Sequence, residues 1–275
     1  MGICDIIPGV SGGTIAFVTG IYQDLLASIA AIDKNFFRYL FTFQFKLALD
    51  KISFSFLIPL LLGIFTALVS TARLIHYLLE NEKVYTWSFF FGLILASVFY
   101  LAKEIKWKDK KNVIFFSIGM IGAYIIVGLI PITTPENYFF LFLCGVLAIT
   151  AMILPGISGS FILLLLGKYH FVTYALRNPF LADNFLILIV FAVGCLVGLL
   201  SFSKLLNYLL NHHYQIMFAL LSGFILGALR KIWPWKLDEQ NILPSLEVET
   251  FWAIGFIAIA FIGVFALLSY SHKKN

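Results

Sequence analysis

Two short segments of the chain combine proline, glycine and hydroxyl side chains in the same order. The first is Pro8-Gly9-Val10-Ser11-Gly12-Gly13-Thr14, and the second, Pro155-Gly156-Ile157-Ser158-Gly159-Ser160, begins 147 residues later. Proline cannot donate a backbone hydrogen bond and glycine permits conformations closed to other residues, so each segment predicts a break in a helix. The helix that restarts presents free N–H groups and a positive dipole end, an arrangement that favours anions such as phosphate.

We therefore expect the backbone amides and hydroxyl groups of both segments to bind an anion. The candidate residues are Pro8, Gly9, Ser11, Gly12, Gly13, Thr14, Pro155, Gly156, Ser158, Gly159 and Ser160. The alternative is a helix kink in which glycine packs closely against a neighbouring helix. Recurrence of the same residue types in two parts of the chain favours the binding interpretation.

Four charged residues accompany these segments. Arg73 and Lys204 lie at matching positions near the ends of two apolar stretches, where two cations would suit an anionic headgroup. The alternative is that both side chains reach out to the membrane interface. Asp5 and Asp24 flank the first segment and have no acidic counterparts beside the second, so they are candidates for proton coupling.

The elements that position these residues belong to a membrane protein. Hydrophobic residues make up 61% of the 275 and charged residues only 12%, against about 45–50% and about 25% in soluble domains. The net charge of +5 arises from basic residues in short loops, so we do not expect nucleic-acid binding. The predicted membrane-spanning helices are Phe54–Leu78, Trp87–Ala102, Val113–Ile130, Phe185–Leu210, Ile216–Leu229 and Phe251–Tyr270.

The chain also repeats itself outside the two segments, at an offset of 131 residues. The matched pairs are Gly63 and Gly194, Ser70 and Ser201, Arg73 and Lys204, Tyr77 and Tyr208, and Gly92 and Gly223. We predict an all-α polytopic integral membrane protein, a single transmembrane domain over residues 1–275. Its internal repeats cover residues 1–131 and 138–271, and each contains one re-entrant or broken helix followed by three transmembrane helices.

Three spans per repeat would invert the second half relative to the first. Eleven basic residues then share the side of Lys103–Lys111 and five lie opposite, which places that side and the C-terminus in the cytoplasm. Asp33–Lys51 is predicted to form an amphipathic interfacial helix on this face. Only seven residues precede the first segment, whereas the apolar stretch Phe139–Leu154 precedes the second. We expect an N-terminal helix to be missing from the chain as given; a shorter first arm is the alternative.

Neither a metal centre nor a cofactor site is predicted. Cys4, Cys144 and Cys195 lie in apolar stretches without metal-ligand or redox spacing, so we expect them to be packing residues. No phosphate-binding P-loop, zinc-protease or serine-hydrolase motif occurs, and no set of catalytic residues is evident. We expect a protein that is not an enzyme.

The two segments and their surroundings resemble the signatures of the PopT family of bacterial polyprenyl-phosphate translocases. The matching stretches are Asp5–Thr14 with Gly20, Ile21 and Tyr22, Leu154–Phe161 with Gly167 and Tyr169, and Phe91–Leu95. The resemblance covers nearly the whole chain, although family members carry more residues before the equivalent of Asp5. It implies a protein of the bacterial cytoplasmic membrane that returns undecaprenyl phosphate, the lipid carrier of cell-wall synthesis, to the inner leaflet.

The residues are compatible with that function. The lipid needs an anion site that can face either side of the membrane and an opening for its apolar tail. Two rivals stay open, a transporter or channel for small anions and a membrane-embedded polyprenyl-diphosphate phosphatase. The phosphatase would need acid/base or nucleophilic residues near both segments, and only Asp5 and Asp24 are close to the first. The oligomeric state is unknown from sequence.

Overall fold

The computed structural model describes residues 1–7, 10–131, 134–135, 137–181, 183–237, 240–245 and 247–274, without the side chains of residues 37, 40, 48 and 268–274. The chain is mostly helical, as predicted. Its helices are α1 Gly2–Ile6, α2 Gly12–Val18, α3 Tyr22–Ala30, α4 Lys34–Phe41, α5 Phe45–Leu49, α6 Phe54–Asn81, α7 Lys83–Ala102, α8 Lys110–Ile126, α9 Tyr138–Ile153, α10 Gly159–Leu165, α11 Tyr169–Arg177, α12 Asn184–His212, α13 Tyr214–Ala228 and α14 Val248–Lys274. A 3-10 turn, Leu229–Ile232, continues α13, and strands β1 Lys236–Leu237 and β2 Gln240–Asn241 form a small antiparallel hairpin.

Among the described residues, five helices are long and apolar enough to cross a membrane. They are α6, α7, α12, α14 and α13 with its 3-10 turn, and the number rises to seven if each of two bent helix pairs counts as one span. This confirms a polytopic helical membrane protein. The predicted span Val113–Ile130 is shorter than expected, because α8 ends at Ile126 after 17 residues, whereas a span needs about 20.

The two bent pairs follow the two proline- and glycine-containing segments. Helices α2 and α3 meet at 114°, and α10 and α11 meet at 116°. Each corner contains a glycine with positive φ, +78° at Gly20 and +64° at Gly167, which only glycine adopts at low cost. The glycines that the sequence matched between the halves therefore make the same sharp turn.

The second bent element folds back on the helix before it. The Thr134 hydroxyl donates to the carbonyl of Leu166 at 2.6 Å, and the Lys168 ammonium donates to the carbonyl of Thr134 at 3.1 Å. These bonds bring the end of α10 to the loop that precedes α9. Helices α9 and α10 therefore form a hairpin, with the break Leu154–Ser158 at its tip.

Close glycine contacts hold three pairs of parallel helices together. A Cβ added at these glycines would overlap a backbone oxygen of the partner helix, so the helices approach as closely as small residues allow. The contacts are Gly223 with Phe116 between α13 and α8, Gly194 with Phe142 between α12 and α9, and Gly92 with Ile257 between α7 and α14.

Helices α7 and α13 run antiparallel to each other. At one end Tyr214 and Phe218 of α13 share a pocket with Tyr100 and Leu101 at the end of α7. At the other end the Trp233 ring, just beyond the 3-10 turn, lies 5.5 Å from the ring of Phe91.

The segment predicted as one interfacial helix forms two. Phe43, between α4 and α5, has a φ of +54°, which interrupts the helix. Asp33 joins the two ends, because its carboxylate accepts hydrogen bonds from the Phe36 amide at 2.8 Å and the Lys51 ammonium at 3.0 Å. These bonds hold the pKa of the Asp33 carboxyl below its ordinary value. Large apolar side chains of this segment remain exposed: Phe41, Phe43, Phe45, Leu47 and Leu49.

Candidate functional site

The two proline- and glycine-containing segments meet at the centre of the helix bundle. The Gly156 amide donates a hydrogen bond to Oγ1 of Thr14 at 2.8 Å, and both groups are buried. The Ser11 hydroxyl lies 3.4 Å from the carbonyl oxygen of Met152 and 3.5 Å from that of Leu154. Residues more than 140 positions apart thus bond directly. In the first segment, Thr14 supplies the acceptor and Ser11 the donor for backbone groups at the second break.

Tyr22 adds a further hydrogen bond between the halves. Its side chain is buried, and its hydroxyl donates to the carbonyl oxygen of Ile153 at 3.1 Å. Ile153 is the last residue of α9, where helical carbonyl groups lose their partners within the helix. The phenol therefore satisfies a carbonyl group that the break leaves open. From sequence alone, Tyr22 had no predicted role, although Tyr22 and Tyr169 are 147 residues apart, the same offset as the two segments, and this repeat was the available signal.

The N-terminus of α2 is occupied by groups of its own chain. The Gly12 amide donates to the Asp5 carboxylate at 2.8 Å, and the Gly13 amide donates to the Ser11 hydroxyl at 3.1 Å. A Cβ at Gly12 would lie 2.5 Å from both carboxylate oxygens of Asp5, so a larger residue here would make the Asp5 side chain move. In this conformation, Asp5 occupies the position that a bound anion would take at the helix terminus.

The second segment is partly open. Ser158 caps α10 by accepting from the Phe161 amide at 3.3 Å, and its hydroxyl lies 3.2 Å from that of Ser160, which is exposed. Pro155 is fully buried, and Gly156 has a φ of +99°, a conformation open to glycine. The hydroxyl pair is the more accessible part of the predicted anion site.

A small cavity of about 10 Å³ lies between the segments. Its walls include Ser11, Thr14 and Gly156, and the 3-10 turn contributes Leu229 and Ile232. A space of this size holds about one water molecule and no phosphate group. The conformation is therefore closed around the centre.

Three of the predicted residues do not line this cavity. The side chains of Arg73, Lys204 and Asp24 are exposed, and none of the three lines the cavity. Pro8 and Gly9 lie outside the described residues. The binding roles of Arg73, Lys204, Pro8 and Gly9 and the proton-coupling role of Asp24 stay predictions.

A groove of about 1050 Å³ opens beside the first segment, between α1, α6, α7 and α14. Its lining is almost entirely apolar and includes Cys4, Gly63, Phe90 and Phe256. Gly63 has no neighbour within 4 Å of a Cβ position, whereas its repeat partner Gly194 packs on α9.

Comparison with known proteins assigns the family. The sequence profile of the Undecaprenyl phosphate translocase-like family matches residues 1–248. A protein of Vibrio cholerae serotype O1, named polyprenyl-phosphate transporter, is 45% identical over 236 residues, 86% of this chain and 75% of the relative. A protein of the same name from Staphylococcus aureus is 34% identical over an alignment of 278 positions, 96% of this chain and 93% of the relative. No solved structure matches the chain. The predicted resemblance is confirmed: the chain belongs to the undecaprenyl phosphate translocase-like family.

Proposed function

We propose that this protein transports a polyprenyl phosphate across the bacterial cytoplasmic membrane. The observation that carries the proposal is the meeting of two equivalent broken segments at the buried centre, where the Gly156 amide bonds to Thr14. Two relatives at 45% and 34% identity are named polyprenyl-phosphate transporters. We infer that the substrate is undecaprenyl phosphate and that it moves from the outer to the inner leaflet, which returns the carrier to cell-wall synthesis.

We further propose that the two halves are inverted repeats. Helices α7 and α13 carry the matched residues Gly92 and Gly223, and they run antiparallel. The two bent pairs have nearly the same angle, 114° and 116°. A pseudo-two-fold axis in the membrane plane would relate such halves, as in many secondary transporters. The excess of basic residues around Lys103–Lys111 places the C-terminus in the cytoplasm in this arrangement.

Transport then requires the closed centre to open. The headgroup would replace Thr14 as the partner of the Gly156 amide and would displace the Asp5 carboxylate from the first segment. Hydroxyl groups of Ser11, Ser158 and Ser160 would donate to its oxygen atoms, as charge-assisted hydrogen bonds. Rocking of one half against the other would expose the site to each side in turn.

The tail of the substrate needs an apolar surface throughout this movement. The groove between α1, α6, α7 and α14 adjoins the first segment and is lined by apolar side chains. We assign the polyprenyl tail to this groove while the phosphate occupies the centre. Arg73 and Lys204, both exposed, would meet the headgroup at the ends of its path rather than at the centre.

The test is leaflet accessibility of undecaprenyl phosphate in liposomes that contain the purified protein. An impermeant probe of the phosphate reports movement, with Arg73→Ala as the variant and an active homologue as the positive control. We expect the wild type to move the lipid and Arg73→Ala to move it more slowly. If the homologue works and this protein does not, the lipid assignment is wrong. Uptake of soluble anions would favour a small-anion transporter, and release of inorganic phosphate a phosphatase.

A further inference from the structure

Three cations lie together on the 3-10 turn after α13 and the hairpin that follows it. Each sits on an aromatic ring of a different helix. The Arg230 guanidinium is 4.3 Å from the ring centre of Tyr124 in α8. The Lys231 ammonium is 4.8 Å from that of Phe161 in α10, and the Lys236 ammonium is 5.0 Å from that of Trp87 in α7. The cluster therefore connects the ends of three helices around the two segments.

The cluster lies directly against the closed central cavity. Leu229 and Ile232 of the same 3-10 turn line that cavity, and Arg230 and Lys231 are the two residues between them. The Lys231 ammonium also lies over the ring of Phe161, the residue after the second segment, and the Phe161 amide donates to the Ser158 hydroxyl. A movement of the turn that opened the cavity would carry both cations with it.

The surroundings fix the position of Arg230 while leaving donor groups for a ligand. A guanidinium has five N–H donors, and among the described residues Arg230 donates one of them, to the Tyr124 carbonyl at 3.1 Å. The face of an aromatic ring attracts a cation, but it does not accept hydrogen bonds from N–H groups that lie in the plane of the guanidinium. The hairpin holds the turn from the other side, because Asn241 donates to the Arg230 carbonyl at 2.8 Å.

Further hydrogen bonds connect the hairpin with this turn. The Trp233 indole donates to the Ile242 carbonyl at 2.9 Å, and the Ile242 amide donates to the Trp235 carbonyl at 3.0 Å. The Lys236 ammonium donates to the backbone carbonyl of Lys231, so the third cation lies beside the turn that carries the other two. Cations beside an anion path suit a phosphate monoester.

We propose that Arg230, Lys231 and Lys236 form a docking site for the phosphate headgroup, outside the closed cavity and separate from the predicted cations Arg73 and Lys204. The headgroup binds here first, between the 3-10 turn and the partly open hydroxyl groups of the second segment, and enters the centre when the turn moves. The proposal rests on the proposed function for the identity of the lipid, and its chemistry is that of a phosphate monoester.

Calorimetric titration of the purified full-length protein tests this site. The probes are farnesyl phosphate, farnesol and inorganic phosphate. The variants are Arg230→Gln and Lys231→Gln, with Arg177→Gln, an exposed arginine at the end of α11, as the matched control. We expect each cluster variant to weaken farnesyl phosphate binding about 10- to 100-fold, the loss typical of a charge-assisted contact. Arg177→Gln should leave the affinity unchanged.

Other outcomes have distinct meanings. Unchanged affinity in properly folded cluster variants overturns the site, and so does equal binding of farnesol, because the tail alone would then account for it. Inorganic phosphate that binds as tightly as farnesyl phosphate would overturn the lipid headgroup as its ligand. Arg230→Lys keeps a cation and is the control for a folding defect. We expect it to bind farnesyl phosphate more tightly than Arg230→Gln. A protein that binds through the cluster but moves no lipid in liposomes would refute the proposed function and leave the site standing.

Discussion

Replacement of Thr14 by valine removes the bond that joins the two broken segments. Thr14 is completely buried, and its Oγ1 accepts the Gly156 amide at 2.8 Å. Valine has nearly the same shape but offers no acceptor, so the Gly156 amide would be left buried without a partner. Thr14→Ser is the matched control, because it keeps the hydroxyl and loses only a methyl group.

The expected cost follows from that unsatisfied donor. A buried N–H that loses its acceptor costs about 1–3 kcal/mol. This corresponds to a fall of about 5- to 150-fold in the population of the closed conformation relative to states in which the amide is satisfied. Because the proposed mechanism requires the closed centre to open, we expect Thr14→Val to favour opening and to speed transport by up to that factor. Thr14→Ser keeps the acceptor and should stay close to the wild type.

Two measurements on the same preparations check this reasoning. Thermal unfolding in detergent reports the stability of the closed conformation, and the liposome assay reports lipid movement. We expect Thr14→Val to lower the Tm relative to Thr14→Ser and to move more undecaprenyl phosphate. If the valine variant matched the serine variant in both measurements, the Thr14–Gly156 bond would have no part in holding the halves together, and the closed-centre mechanism would be refuted.

Substitutions at Tyr22, Gly223 and Asp5 test further contacts within the bundle. Tyr22→Phe removes the donor to the Ile153 carbonyl and should lower stability by about 1–3 kcal/mol, measured by thermal unfolding; an unchanged Tm would contradict that role. Gly223→Ala would overlap α8 and should cost about 1–3 kcal/mol, whereas Gly122→Ala meets no atom within 4 Å and should be neutral or stabilising. Asp5→Asn keeps an acceptor at α2, so we expect its liposome transport to exceed that of Asp5→Ala. Transport lost equally in both variants would instead favour proton coupling through Asp5.

The sequence was sufficient to predict the helical membrane fold and the positions of both helix breaks. Composition and the repeated glycine, proline and serine pattern are local signals, and they located the breaks at the two segments; the corners that follow at Gly20 and Gly167 were not predicted. The pairing of Thr14 with Gly156 was not predictable, because spacing along the chain does not say which groups of two distant breaks face each other. For Arg73 and Lys204 the sequence left two places open, beside the anion or at the membrane interface, since periodicity does not fix the rotation of a helix within its bundle.

The cluster at Arg230 shows a second limit of sequence reasoning. From sequence, Arg230, Lys231 and Lys236 were counted only as basic residues in a loop between two membrane-spanning helices. Their cation–π partners are Tyr124, Phe161 and Trp87, which are far away in sequence. No pattern within the 3-10 turn predicts these contacts. Sequence indicates where an anion could be bound at a helix break, whereas tertiary packing determines which charges stand beside it.

The groove gives a prediction that separates the tail from the headgroup. Gly63→Trp would place an indole in the groove, whereas Gly122→Trp places one on α8, where a Cβ meets nothing within 4 Å. Because the tail can leave the groove for lipid without losing an apolar environment, the expected effect is steric rather than hydrophobic. An indole at Gly63 would fill part of the groove, so we expect Gly63→Trp to slow undecaprenyl phosphate relative to Gly122→Trp.

A short substrate makes this test specific. Farnesyl phosphate carries the same headgroup on a tail that fills less of the groove, so Gly63→Trp should affect its transport less than that of undecaprenyl phosphate. Equal slowing of both substrates would show that the indole disturbs the centre or the fold rather than the tail. Equal transport by Gly63→Trp and Gly122→Trp would show that the tail travels elsewhere. The long substrate would then have to leave through another face of the bundle, because the central cavity, at about 10 Å³, has no room for it.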